Sequence, residues 1–188
     1  MKFLTTLFFV MVLAVGVAAD DHQQGGAQGM PDMGQPEEMK ELMWIEGDWD
    51  VAMQSRWDPN QTEWTESKGS CTYTSILDGC AMQFDYTGEA MGMPFLGHGV
   101  MSYDRDKKEW QSSWIDNMAA RQVLYTGHMH GDSSVMTGHE VYGGMAYDAR
   151  ITTVRINDDK YEWYYDMSMD GGENWWTSGK AIYTRAGK

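Results

Sequence analysis

From Trp49 to Arg185 bulky apolar positions alternate with polar ones at a period of two, the spacing of strands that bury one face and wet the other. Trp49, Val51, Met53 and Trp57 alternate with Asp50, Ala52, Gln54 and Arg56, and Asp58-Pro59-Asn60 then turns the chain. A longer, more polar run goes from Trp64 to Ile76, after which Cys80, Met82, Phe84 and Tyr86 alternate with Ala81, Gln83, Asp85 and Thr87. Gly97 to Arg121 holds two strands joined by the charged turn Asp104 to Lys108, and ends in a second turn at Asn117 to Ala120. Arg121 to His130, Val135 to Tyr142, Ala149 to Asn157, Tyr161 to Met169 and Trp175 to Arg185 continue the series. These make about ten strands with loops mostly of two to five residues, which forces antiparallel neighbours in a meander. Closing the meander into an up-and-down barrel removes its exposed edges. The expected fold is therefore all-β, with one short helix at the N-terminal side: Pro36 starts it, Glu37 and Glu38 suit its first turn, Met39, Leu42 and Met43 form its apolar stripe, and Gly47 ends it.

Turn chemistry also sets a register. If the charged turn pairs Asp104 with Glu109, Tyr103 faces Trp110, Met101 faces Ser112 and Gly99 faces Trp114. Across the next hairpin Asp116 faces Arg121, Trp114 faces Val123, Ser112 faces Tyr125 and Trp110 faces Gly127. Both tryptophans then meet a glycine, large against small, as a packed interior requires. The inner wall so defined includes Trp49, Met53, Phe84, Tyr86, Met101, Tyr103, Trp110, Trp114, Tyr125, Trp163 and Tyr165, with Trp57, Met82, Tyr161, Met167, Trp175 and Tyr183 on the same face. An aromatic and methionine lining suits a planar or apolar guest, and it equally suits a filled core.

Targeting and charge narrow the class. Lys2, the apolar run Phe3 to Val17 and Val17-Ala18-Ala19 make residues 1–19 a secretory signal cut before Asp20, too short to be a membrane span. Residues 20–35 are polar, Gly-rich and without periodicity, a disordered leader, and 36–188 form the barrel domain. The expected location is periplasmic or secreted, with no membrane insertion after cleavage. A net charge of −14 repels phosphate backbones and excludes nucleic acid as a natural partner. An oxidising compartment favours a bond between Cys71 and Cys80, but the hairpin separates them by six strand residues, on the order of 20 Å, so two buried thiols are the alternative.

Chemistry-bearing groups are few. No nucleophile elbow, phosphate loop or metal-spacing motif is present, and no catalytic residue is assigned. Asp116 and Arg121 make a candidate ion pair at the barrel rim, able to meet the polar end of a ligand or simply to close a hairpin. His128 and His130 project from one strand face about 7 Å apart, and His139 lies across the next turn. With 17 methionines in the chain, this trio is the candidate site for copper or another metal, although it shares the parity of the outer face. Ser168 to Trp175 fits the S-x-D-x-G-x-x-W hairpin turn, whose Asp and Gly serve turn geometry.

The ordered set Trp44-Ile-Glu-Gly-Asp-Trp49, Leu77-Asp-Gly79, Met91-Gly-Met-Pro-Phe95, Gly97 to Asp104, Trp114-Ile-Asp116 and Ile182-Tyr-Thr-Arg185 resembles the bacterial domain-of-unknown-function family fifteen seventy-nine. The resemblance spans Glu37 to Arg185 and implies a lipocalin-like, calycin-type barrel; it carries no activity, cofactor or catalytic residue. The sequence thus leads to an exported, non-catalytic barrel that binds a small apolar or aromatic molecule in its lumen. Periplasmic copper handling and a structural or envelope interaction role are the alternatives.

Overall fold

The computed structural model describes residues 34–187, so the signal and nearly all of the leader expected from the sequence lie outside the described residues. Ten strands follow one another: β1 (Gly47–Ser55), β2 (Thr65–Ile76), β3 (Ala81–Ala90), β4 (Met93–Asp104), β5 (Glu109–Asp116), β6 (Val123–His130), β7 (Ser133–Tyr142), β8 (Met145–Asn157), β9 (Lys160–Ser168) and β10 (Trp176–Arg185). Each pairs antiparallel with its sequence neighbours, and β1 pairs with β10, so the sheet closes into an up-and-down barrel with no free edge.

The register agrees with the expectation drawn from the charged turn. Asp104 pairs with Glu109, Tyr103 with Trp110, Met101 with Ser112 and Gly99 with Trp114. Trp110 then pairs with Gly127, Ser112 with Tyr125 and Trp114 with Val123. Cys71 pairs with Tyr86, and both cysteines are free thiols as the hairpin geometry requires. Cys71 is buried, whereas Cys80 sits in the β2–β3 turn and is only half-buried.

Strand ends differ from the expectation where turns override the alternation. β1 stops at Ser55, leaving Trp57 exposed in the following loop instead of on the inner face. β6 begins at Val123 rather than Arg121, because Asp116 accepts from the Met118 and Ala119 amides and so extends the turn. β8 reaches back to Met145, joined to β7 by Gly143 and Gly144, both in the left-handed region.

The helix is shorter than predicted: α1 (Glu37–Leu42) gives way to a 3-10 turn at Met43–Ile45 before Gly47, whose positive φ of 115° starts β1. Met39, Leu42 and Ile45 are buried, while Met43 stays half-buried because the tighter turn rotates it off the stripe. The segment leads directly into β1, so it covers the barrel end that also carries the β2–β3, β4–β5, β6–β7 and β8–β9 turns. The other five hairpin turns ring the opposite end, the mouth.

Candidate functional site

Inward positions alternate along the strands, with one shift of parity at the β10 bulge between Thr177 and Gly179, and the helix-capped end holds a tightly packed aromatic cluster. Trp49 is wholly buried. It meets Trp44 and Tyr161 edge-to-face, at centroid distances of 6.1 and 4.8 Å, and its Nε1 donates to the Ile45 carbonyl at 2.7 Å. Tyr161 stacks on Tyr183 at 4.3 Å and shares a 3.0 Å hydrogen bond with the Tyr73 hydroxyl. Burial pushes all three phenols well above their ordinary range. Arg185 locks this end, lying 4.2 Å over the Trp49 ring while donating to the backbone carbonyls of Trp44 and Asp158 at 2.6 and 2.8 Å. Trp110 and Tyr103 pack edge-to-face at 5.5 Å at the same end.

Toward the middle and mouth the rings lie flat on the wall. A Cβ built at Gly99 would overlap the Phe84 ring, and one at Gly97 would overlap Trp114. Tyr86 lies across Gly69 and Gly88, Tyr125 comes within 2.7 Å of the Cβ position at Gly138, and Trp163 within 3.3 Å of that at Gly179. At Gly69, Gly88, Gly97, Gly99 and Gly138 the ring takes the volume of a side chain on a neighbouring position, so a side chain there would force it to move, whereas at Gly179 the contact is only tight. The register placed Trp114 opposite Gly99, but Phe84 fills that space and Trp114 leans diagonally onto Gly97. Gly127 is likewise not covered by Trp110, since its Cβ position meets the Val135 and Met136 backbone. Phe84 stacks with Tyr73 at 5.5 Å and with Trp114 at 5.7 Å, and Trp163 stacks with Tyr165 at 5.9 Å. Phe84, Met53, Met101, Trp114, Trp163 and Tyr165 remain half-buried although they point inward.

At the mouth sits an arrangement the sequence reading missed. Glu140 of β7 shares the inward parity of Met136 and Gly138, and its carboxylate is held by three phenols. Tyr165 donates to its Oε1 at 2.5 Å, Tyr125 donates to the same oxygen, and Tyr147 donates to Oε2 at 2.9 Å. Burial first raises both the Tyr125 and Tyr165 phenols, followed by the Glu140 charge for Tyr125 and by Tyr125 and then Glu140 for Tyr165. Tyr147 is pushed up to about 12, chiefly by burial. The signal was available: an acid at an inward position of a strand whose neighbours carry inward tyrosines.

The polar candidates resolve differently. Asp116 accepts from Trp114 Nε1 at 3.0 Å and from two turn amides, whereas Arg121 is exposed beyond the turn and, among the described residues, makes no ion pair. The residues expected to face one another do not, because the two-residue extension of the turn takes Arg121 out of the ladder. His128 and His130 share the outer face with ring centroids 6.4 Å apart, but β6–β7 pairing sets His128 against Val135, several residues from His139. His139 instead bonds Asp148 at 3.0 Å, and no group of three or more His, Cys, Asp or Glu side chains placed to hold a metal forms among the described residues. The Ser168–Trp175 turn is structural: Asp170 accepts from the Asn174 amide at 2.9 Å, which with the Asn174 and Ser168 side chains lowers its carboxyl to about 2. Trp175 packs against the turn, its Nε1 donating to the Gly172 carbonyl at 2.9 Å, and Arg150 lies over the ring at 4.4 Å from guanidinium to centroid. Two concavities of about 430 and 410 Å³ lie on the outer wall, bordered by Ala52, Lys68 and Ile182.

A family model described as Protein of unknown function (DUF1579) matches residues 35–185. No curated protein matches the sequence. Among solved structures, Rv2717c from M. tuberculosis is similar with a TM-score of 0.58 and 12% identity, covering 80% of this chain and 98% of its own. The S-type phycobiliprotein lyase CPES from Guillardia theta is similar with a TM-score of 0.50 and 14% identity, covering 79% of this chain and 92% of its own. At such identities the likeness shows the fold, a lipocalin-like barrel, and no activity.

Proposed function

The chain belongs to the DUF1579 family of proteins of unknown function, and from that premise we propose that it is an exported carrier holding a small apolar or aromatic molecule in its lumen without transforming it. One observation carries this reading: Phe84, Trp114 and Trp163, seated on glycines along the inner wall, stay half-buried although they point inward, so they offer stacking faces to the axis. A core packed for stability alone would interdigitate them, as the helix-capped end does. The signal-like N-terminus and the acidic surface agree with an exported, soluble barrel.

The test is a titration with phenylnaphthylamine, a neutral apolar dye, followed by energy transfer from tryptophan. The expected result is saturable one-to-one binding at micromolar Kd or tighter, weakened at least about tenfold in Met101→Trp, which fills the lumen. Absence of saturable binding ends the carrier reading. Binding unchanged in Met101→Trp moves the site to the outer wall and ends it as well.

A further inference from the structure

We propose that the mouth of the lumen selects a flat cation: Glu140, held by Tyr125, Tyr147 and Tyr165, accepts the positively charged N–H of a planar ligand whose ring stacks beside Trp163. This rests on the lumen reading above and gives it a ligand class.

The donor and acceptor inventory makes the selection. Each phenol owns one hydrogen and has a Glu140 oxygen as its nearest acceptor; the Tyr165 hydroxyl also lies 3.4 Å from that of Tyr147, but its 2.5 Å contact to Glu140 takes the hydrogen. What the cluster then shows the lumen is lone pairs: those left on the carboxylate and those of three phenol oxygens. A carboxylate, sulfonate or carbonyl on a ligand finds no donor here and meets a negative charge, whereas an N–H cation finds acceptors and an opposite charge in a site of reduced dielectric. Burial and the Glu140 charge keep the phenols protonated at neutral pH, so the inventory holds under ordinary conditions.

Stacking surface adjoins the charge. Tyr165 is both a donor to Glu140 and one half of the stacked pair with Trp163, whose planes differ by 14°. A ring with a delocalised positive charge gains from such faces as well as from the carboxylate. The field of Arg121 reaches Tyr147, but this residue is exposed on the turn and donates no hydrogen bond to Glu140 among the described residues. The carboxylate is therefore not neutralised by a resident guanidinium.

The experiment compares three probes on the same protein: protonated acridine orange, a planar cation with a ring N–H; neutral phenylnaphthylamine; and anionic anilinonaphthalene sulfonate. The expected result is acridine orange bound at least about tenfold more tightly than the neutral dye, with the sulfonate weakest. In Glu140→Gln, whose amide oxygen still accepts from the tyrosines, the ratio of cation to neutral affinity collapses toward one, and Glu140→Asp restores part of it. On the unmutated protein the preference persists at about 1 M salt, where the Debye length is about 3 Å and the attraction of the acidic surface is screened. A preference that vanishes in salt, or survives Glu140→Gln, belongs to the surface and overturns the proposal. Equal binding of all three dyes overturns it and leaves the lumen reading standing, whereas binding of none removes both.

Discussion

The two ends of the barrel use the same residue types to opposite effect. At the helix-capped end aromatics pack on one another, edge-to-face around Trp49 and stacked at Tyr161–Tyr183, their polar atoms are satisfied by backbone carbonyls and by each other, and Arg185 is engaged in stacking and several backbone bonds. At the mouth the rings lie flat against glycines, Arg121 is exposed, and Met91, Met93, Met145 and Met169 stand out on the surrounding hairpins. An interior made for stability consumes its interaction surface; the mouth leaves faces, a charge and flexible thioethers unspent. Stability and recognition are thus divided along the axis.

The largest expected effect is alkaline unfolding driven from the closed end. Burial pushes the Cys71 thiol up to about 12 from an ordinary 9.0, and it raises Tyr73, Tyr161 and Tyr183 in the same direction. Below pH 9 folded and unfolded chains both keep the Cys71 proton, so its contribution is intact. Between pH 9 and about 12 only the folded chain keeps it, and stability falls with pH by an amount on the order of 4 kcal/mol from this thiol alone. The three phenols add losses of the same sign above pH 10. Tyrosinate absorbance and near-ultraviolet circular dichroism are expected to change together above pH 10. Ionisation of most tyrosines with the dichroism intact would remove the claim that the closed end is a sealed core.

Second in size is Trp49→Ala, expected to cost about 3–5 kcal/mol in urea unfolding at neutral pH. The ring is fully buried beneath Trp44, Tyr161 and Arg185, and its loss leaves both a cavity and an arginine without its stacking face. A cost below about 2 kcal/mol would mean that the helix segment collapses into the gap, and the end is less rigid than its contacts imply.

How far the sequence carried follows the same division. Alternation and turn chemistry act between adjacent residues and adjacent strands, so the strand count, the closure and the pairing of Trp114 with Gly99 and of Trp110 with Gly127 could all be read locally. Which ring covers which glycine could not: rotamers send Trp114 diagonally to Gly97 and let Phe84 take Gly99. The pairing of Asp116 with Arg121 failed because a side chain capping turn amides competes with the ladder. Glu140 was passed over because its partners come from β6, β8 and β9, and a carboxylate on an inner face has meaning only once those strands are side by side.

The smallest effect tests whether the mouth is spared from structural duty. Tyr147→Phe deletes one donor to Glu140 and leaves Tyr125 and Tyr165 in place. Tyr147 and Glu140 are half-buried, so water can take the vacated position on Oε2, and the expected cost is only about 1 kcal/mol, seen as a lower urea midpoint with an unchanged slope. A closed-end hydroxyl such as that of Tyr161, which is wholly enclosed and bonded to Tyr73, has no such replacement. If Tyr147→Phe cost more than about 2 kcal/mol, or changed the slope, the Glu140 cluster would be a second structural lock, and the contrast between the ends would fail.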